Sequence, residues 1–391
     1  MADSALVAQV PPQSGTQPVQ ETAAPDTKRM PHITALDGVR GLAILLVLLF
    51  HLLRSNDAPT SSAIINLILK LRDTGWIGVD LFFALSGFLI TGILFDSLGA
   101  QHYFRNFYVR RVLRIFPLYY GVLLILFLIF RPTWHSGRQL YVLLFYLQNT
   151  PVWWHGSQST PIKDLTGHLW SLAAEEQFYF VWPFIVFWVR ERRRLLWIAL
   201  ILALMAPVAR ILMLAHGATI EATYKMTICR CDSLLAGAWL ALAVRGPRRA
   251  AVLRAATPAF WLAALACLAI GIHSGNFHWQ ENRTVNTIGY TLLAICGTSL
   301  IAMVLRAGFT ASLMKARVLR WLGKYSYGIY IIHMMIGATY SGFLYSHVHS
   351  KVALHIAIPL CNLLITLPLA WLSFRFYEQP FLRLKRYFGP A

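Results

Sequence analysis

The chain has 391 residues, of which 57% are apolar, 13% aromatic and only 13% charged. That apolar content argues against a single soluble domain, and the apolar residues gather in blocks of about twenty, the length of a transmembrane helix. The formal net charge is +19, but its distribution follows a membrane topology signal and leaves nucleic acid little support as a partner.

Residues 1–30 are rich in Pro, Thr, Gln and Ala and precede every apolar block, which predicts a disordered cytoplasmic leader and no cleavable signal peptide. Ten apolar blocks follow, at roughly 36–53, 76–95, 113–130, 169–189, 195–215, 230–245, 257–273, 286–306, 325–346 and 353–374. Outside them, the N-terminus, the even-numbered loops and the C-terminus carry 23 Lys and Arg; the odd-numbered loops carry 10, and Arg40 and Arg210 complete the 35. This alternation places both termini in the cytoplasm. The expected fold is therefore an all-α integral membrane protein, a bundle of about ten transmembrane helices, in contact with the lipid bilayer on its outside. Cys229, Cys231, Cys267, Cys296 and Cys361 form no disulfide framework, the C-x-C pair lacks zinc spacing, and no metal site is expected.

Charged groups in hydrocarbon are costly and tend to be functional or tightly paired. The first block, LDGVRGLAILLVLLFHLLR, holds Asp37 and Arg40 at its cytoplasmic end and His51 near the outer face. Those last two lie about 16 Å apart along a helix rising ~1.5 Å per residue. The second block, GVDLFFALSGFLIT, returns inward, with Asp80 near the outer face and Ser86 deeper. The loop YFRNFYVRRVLRIFP supplies Arg105, Arg110, Arg111 and Arg114. Arg111 and Arg114 are three residues apart on one helical face and suit phosphate oxygens. The outer loop 131–168 contains Trp134, His135, the apolar stretch Leu140–Leu147, Trp153, Trp154 and His155. It reads as an interfacial aromatic belt, with a lid over an outside-facing substrate as the alternative.

The fourth block, HLWSLAAEEQFYFVWP, puts His168, Ser171 and Glu175 on one face by i, i+3/i+4 spacing, while Glu176 points about 100° away. Arg210, Arg230 and Asp232 fall near the outer side. Two clusters result: an inner one of Arg40, Arg111 and Arg114, and an outer one of His51 with several carboxylates. A carboxylate beside an imidazole would fix its tautomer. The competing reading has the acids pair with Arg210 or Arg230 and hold helices together.

Taken in order, Arg40-x10-His51, GVDLFFALSGFLIT, Arg111-x-x-Arg114, HLWSLAAEEQFYFVWP, CRCDSLLAG, GKYSYGIYIIH and FYEQPF resemble the acyltransferase-3 family of integral-membrane O-acyltransferases. The resemblance spans residues 31–391, taken as one membrane domain. It implies ten core spans, functional Arg40, His51, Arg111 and Arg114, and a cytoplasmic acyl-CoA donor, usually acetyl-CoA. It further implies a carbohydrate hydroxyl acceptor and no permanently bound cofactor. Many relatives carry an esterase-like domain after the last span; the chain ends at Ala391, so it is expected to act without one in cis. The expected location is the bacterial inner membrane. His51 is the expected general base, oriented by Glu175 or Asp80, with Ser86, His168, Glu176, Arg230, Asp232 and His333 as further candidates. Direct transfer and an acyl-histidine or acyl-Ser86 intermediate both remain open. A macrolide-like acceptor is the alternative within the enzyme class; from other classes come a multi-span glycan or drug transporter and a non-catalytic scaffold.

Overall fold

The computed structural model describes residues 33–52, 73–130, 137–151, 161–275, 278, 282–348 and 351–389. Ten long helices make up most of it: α1 (Thr34–Leu52), α2 (Gly78–Asp96), α3 (Tyr103–Phe130), α4 (Trp170–Val189), α5 (Arg192–Ala215), α6 (Thr227–Ala243), α7 (Arg249–His273), α8 (Tyr290–Val304), α9 (Arg317–His347) and α10 (Lys351–Leu372). No strand occurs among the described residues. Each of the ten apolar blocks coincides with one of these helices. Among the described residues, eight segments are long and apolar enough to cross a membrane. The two long helices outside that set are α4, which carries Glu175 and Glu176, and α9, whose first turns hold Arg317, Arg320 and Lys324.

Three boundaries differ from the sequence reading, each for a physical reason. Helix α3 begins at Tyr103, about ten residues before its apolar block, because YFRNFYVRRVLR contains no helix breaker and continues the same helix. Arg111 and Arg114 therefore sit on a helix and not in a loop. The sixth block, the shortest of the ten, is extended by a short helix at Ile220–Lys225 whose Thr219 side chain caps the Ala222 N–H. The loop 131–168 also folds in part: Gly137–Leu144 is helical with Val142 and Leu143 buried, and Pro161–Thr166 forms a further short helix. Its apolar stretch is thus packed on the protein, held by hydrogen bonds from Tyr119 to Leu143 O (2.7 Å) and from Tyr120 to Leu144 O (2.9 Å). Trp134, His135, Trp153, Trp154, His155 and the leader at residues 1–30 lie outside the described residues.

The closest helix pairs are α1 with α9 and α2 with α6. Both crossings depend on glycine. A Cβ on Gly87 of α2 would stand 1.8 Å from the Leu234 carbonyl oxygen, and one on Gly237 of α6 would stand 1.9 Å from that of Ala84. Small residues let transmembrane backbones approach in this way, where lipid offers no hydrophobic drive for association. Polar ties complete the scaffold: Trp182 donates to Thr91 Oγ1 at 2.8 Å, and Arg245 forms a two-pronged bridge to Asp96 at 2.5 and 2.6 Å. Helices α5 and α7 are the least buried of the spans and turn most of their surface outward, as lipid-facing helices should.

Gly87→Val is expected to lose about 1–3 kcal/mol through overpacking, read as a lower melting temperature in detergent. Gly167→Ala, whose added carbon meets nothing within 4 Å, should melt like the wild type.

Candidate functional site

Among the described residues two arginines are completely shielded from solvent, Arg210 and Arg230. Arg210 Nη1 donates to Asp232 Oδ2 at 2.9 Å, its Nη2 donates to Thr291 Oγ1 at 2.7 Å, and its Nε donates to Thr287 O at 2.9 Å. Arg230 Nη2 donates to Asp80 Oδ1 at 2.8 Å, and Ser233 Oγ donates to the same oxygen at 3.0 Å. The Arg230 guanidinium lies 3.9 Å from the centre of the Tyr290 ring, with Trp170 and Tyr224 also within cation–π range. Asp80, Arg230 and Asp232 are therefore engaged in joining α2, α5, α6 and α8. The reading of Asp80 as the partner of His51 is corrected: its carboxylate faces Arg230.

The inner arginines do converge. Arg40, Arg111 and Arg114 line one cavity together with Ser86, Glu175 and Tyr179. Arg40 keeps an ion pair to Asp37, one turn earlier on α1, at 3.2 Å. Arg111 lies over the Tyr179 ring, 5.7 Å from its centre. Tyr179 donates to Glu175 Oε2 at 3.3 Å and is itself hydrogen-bonded to Ser86 Oγ. This is a second correction, because Glu175 and Ser86 share the arginine cavity and do not orient His51. Glu176 does not line that cavity, and its Oε1 is buried with no hydrogen-bond partner among the described residues.

His51 belongs to a second cavity at the other end of α1, lined also by Phe50, Trp76, Asp164, His168, Trp170, Glu221, Tyr224 and Lys225. Its Nδ1 lies 2.9 Å from the carbonyl oxygen of Val47. A carbonyl only accepts, so Nδ1 carries the hydrogen and the neutral ring has its lone pair on Nε2. The backbone of α1 thus sets the tautomer that a carboxylate was expected to set. His333 is held in the same manner, with Nδ1 2.7 Å from Tyr330 O. The His51 and His333 rings are 5.0 Å apart, and those of His333 and His168 5.1 Å apart. The three histidines thus form one edge-to-face chain. Both ring nitrogens of His168 and Nε2 of His333 are buried without a hydrogen-bond partner among the described residues.

Two residues that contribute to these cavities were not singled out from the sequence. Tyr179 follows Glu175 by one turn on α4, and Tyr330 precedes His333 by three residues on α9. Tyrosine in an apolar block reads as core or belt, so only its spacing from a titratable neighbour could have marked either one. Tyr330 and Val79 line both cavities.

A family model described as an acyltransferase domain matches residues 33–375. The chain is 30% identical over 377 residues to YrhL of Bacillus subtilis (strain 168), covering 90% of this chain and 55% of that protein. It is 29% identical over 369 residues to the peptidoglycan O-acetyltransferase OatA of Listeria monocytogenes serovar 1/2a, with 89% and 56% covered. It is 25% identical over 376 residues to the O-acetyltransferase OatA of Staphylococcus aureus (strain NCTC 8325 / PS 47), with 89% and 57% covered. The chain therefore spans little more than half the length of these relatives. No solved structure matches it.

The two kinds of acid in this region should respond differently to loss of charge. Removing one partner of a buried pair typically costs about 3–5 kcal/mol, so Asp80→Ala should sharply lower thermal stability and membrane yield. Glu175→Gln, which keeps its shape and strands no paired arginine, should leave both near wild type.

Proposed function

The chain belongs to the acyltransferase-3 family of integral-membrane O-acyltransferases, and on that premise we propose that it carries an acyl group, acetyl in the first instance, from cytoplasmic acyl-CoA to a hydroxyl of an extracytoplasmic glycan. The observation that supports this reading best is the pair of polar cavities at the two ends of α1. One is lined by three arginines and the other holds His51, and both are bounded by Tyr330.

In this reading Arg40, Arg111 and Arg114 hold the phosphates of the donor, for which guanidinium groups supply charge and forked donors. The extended pantetheine arm then reaches past Ser86 and Glu175. On the acceptor side, His51 Nε2 takes the proton of the acceptor hydroxyl as its oxygen attacks the thioester carbonyl. The C–O bond forms, the C–S bond breaks, and CoA leaves as the thiol after taking up a proton. Val47 O keeps the imidazole in the tautomer this needs. Phe50, Trp76, Trp170 and Tyr224 offer ring faces, and Asp164 and Glu221 offer acceptor oxygens, which suits a sugar with its alternating CH and OH faces. The names of the Listeria and Bacillus relatives favour a cell-wall glycan. The alternation of Lys and Arg supports cytoplasmic termini, which puts the arginine cavity on the side where acyl-CoA is found.

In proteoliposomes supplied with labelled acetyl-CoA and soluble glycan fragments, His51→Ala should lower transfer by about 10²–10⁴-fold, the usual contribution of a general base. Transfer retained by a stable, correctly inserted His51→Ala protein would remove His51 from that role. Arg111→Ala combined with Arg114→Ala should raise the apparent KM for acetyl-CoA by about a hundredfold or more, as expected for two charged hydrogen bonds of roughly 1.5–3 kcal/mol each. An unchanged KM would count against the phosphate assignment.

A further inference from the structure

We infer that Tyr330 is the partition between the donor and acceptor cavities, excluding water from the thioester and limiting the size of the acyl group that crosses. This rests on the acyl-transfer reading above and assigns a positioning and selectivity role to a residue to which that reading gives no chemical task. The side chain is a shared wall of both cavities, with Val79 as the other.

Its placement is fixed from three directions. The hydroxyl donates to the carbonyl oxygen of His168 at 2.5 Å, which leaves Ser171 Oγ, also 2.5 Å away, as the donor to it. The ring stands edge-on to His168 at 5.3 Å and to Phe82 at 6.4 Å. A residue of α9 is thus tied to the 3₁₀ turn that precedes α4, to α4 itself and to α2. A tyrosine with two hydroxyl contacts and ring contacts to His168, Phe82 and His333 does not swing freely, so its ring stands as a fixed wall shared by the two cavities.

The two sides of that ring differ in chemistry. The acceptor cavity carries Asp164, Glu221 and Lys225, and a cavity that admits a hydrophilic acceptor admits water as well. The donor cavity holds the thioester. Water reaching that carbonyl adds there, the C–S bond breaks, and the products are the carboxylic acid and the CoA thiol, with water supplying the hydroxyl and the proton. Exclusion of water is how enzymes suppress such losses. A ring between the cavities does this and admits a small acyl group more readily than a long one.

The test measures CoA thiol release by purified protein in proteoliposomes, with and without glycan acceptor, using acetyl-CoA and butyryl-CoA. Tyr330→Ala should raise acceptor-independent hydrolysis of acetyl-CoA by about tenfold, as expected when water gains entry, and should gain turnover of butyryl-CoA. Tyr330→Phe keeps the ring but loses both hydroxyl contacts, and should show both changes at a fraction of the Tyr330→Ala size. If Tyr330→Ala fails to insert, Ser171→Ala, which removes one of the two hydroxyl contacts, should show the same changes in smaller measure. A variant that loses transfer without gaining either hydrolysis or butyryl turnover overturns the partition. Wild-type protein that consumes no acyl-CoA with acceptor present overturns the acyl-transfer reading, and the partition with it.

Discussion

An ion withdrawn from water loses several kcal/mol of hydration unless a close partner and further hydrogen bonds repay it. Two arginines of this bundle, Arg210 and Arg230, have no solvent contact at all, and each meets that demand with an aspartate from another helix. The result is a knot that ties α2, α5, α6 and α8 at one depth. Breaking either half would leave a charge in a place where it cannot be hydrated, so these four helices hold a fixed arrangement. The glycine crossings of α1 on α9 and of α2 on α6 then set how closely the helices of each pair approach.

Against that background the other arginines stand out by how little they are neutralised. Arg40 has one ion pair to Asp37, with about a quarter of each side chain exposed. Neither Arg111 nor Arg114 has a carboxylate within salt-bridge distance among the described residues. An unbalanced cationic cavity inside a membrane protein is expensive to maintain, and an anionic ligand is the natural counterweight. The same logic separates the acids. Asp80 and Asp232 belong to the structural knot, whereas Glu175 hydrogen-bonds to Tyr179 in a cavity with room for a ligand.

Much of this was legible in the sequence, and the rest was not for definable reasons. Apolar run length located all ten long helices, because a membrane span is defined by its length in hydrocarbon. Arg40, Arg111 and Arg114 sorted together because charge alternation gave each a side. What a one-dimensional pattern lacks is the identity of the neighbouring helix. Asp80 reads from its depth as a partner for His51, yet the α2–α6 crossing brings Arg230 to it. The spacing of His168, Ser171 and Glu175 describes a single α-helical face. The 3₁₀ turn at Gly167–Leu169 shifts that phase, so His168 turns toward His333 and the outer cavity while Ser171 and Glu175 line the inner one. Tyr330 was invisible for a different reason, since its role depends on two cavities that only the folded chain creates.

A structure of the protein in lipid nanodiscs with a non-hydrolysable acetyl-CoA thioether bound is the most direct measurement. The predicted result is a nucleotide whose phosphates contact Arg40, Arg111 and Arg114, with the acyl end lying against Tyr330. A nucleotide seated in the outer cavity among Asp164, Glu221 and Trp76, with the three arginines empty, would contradict it.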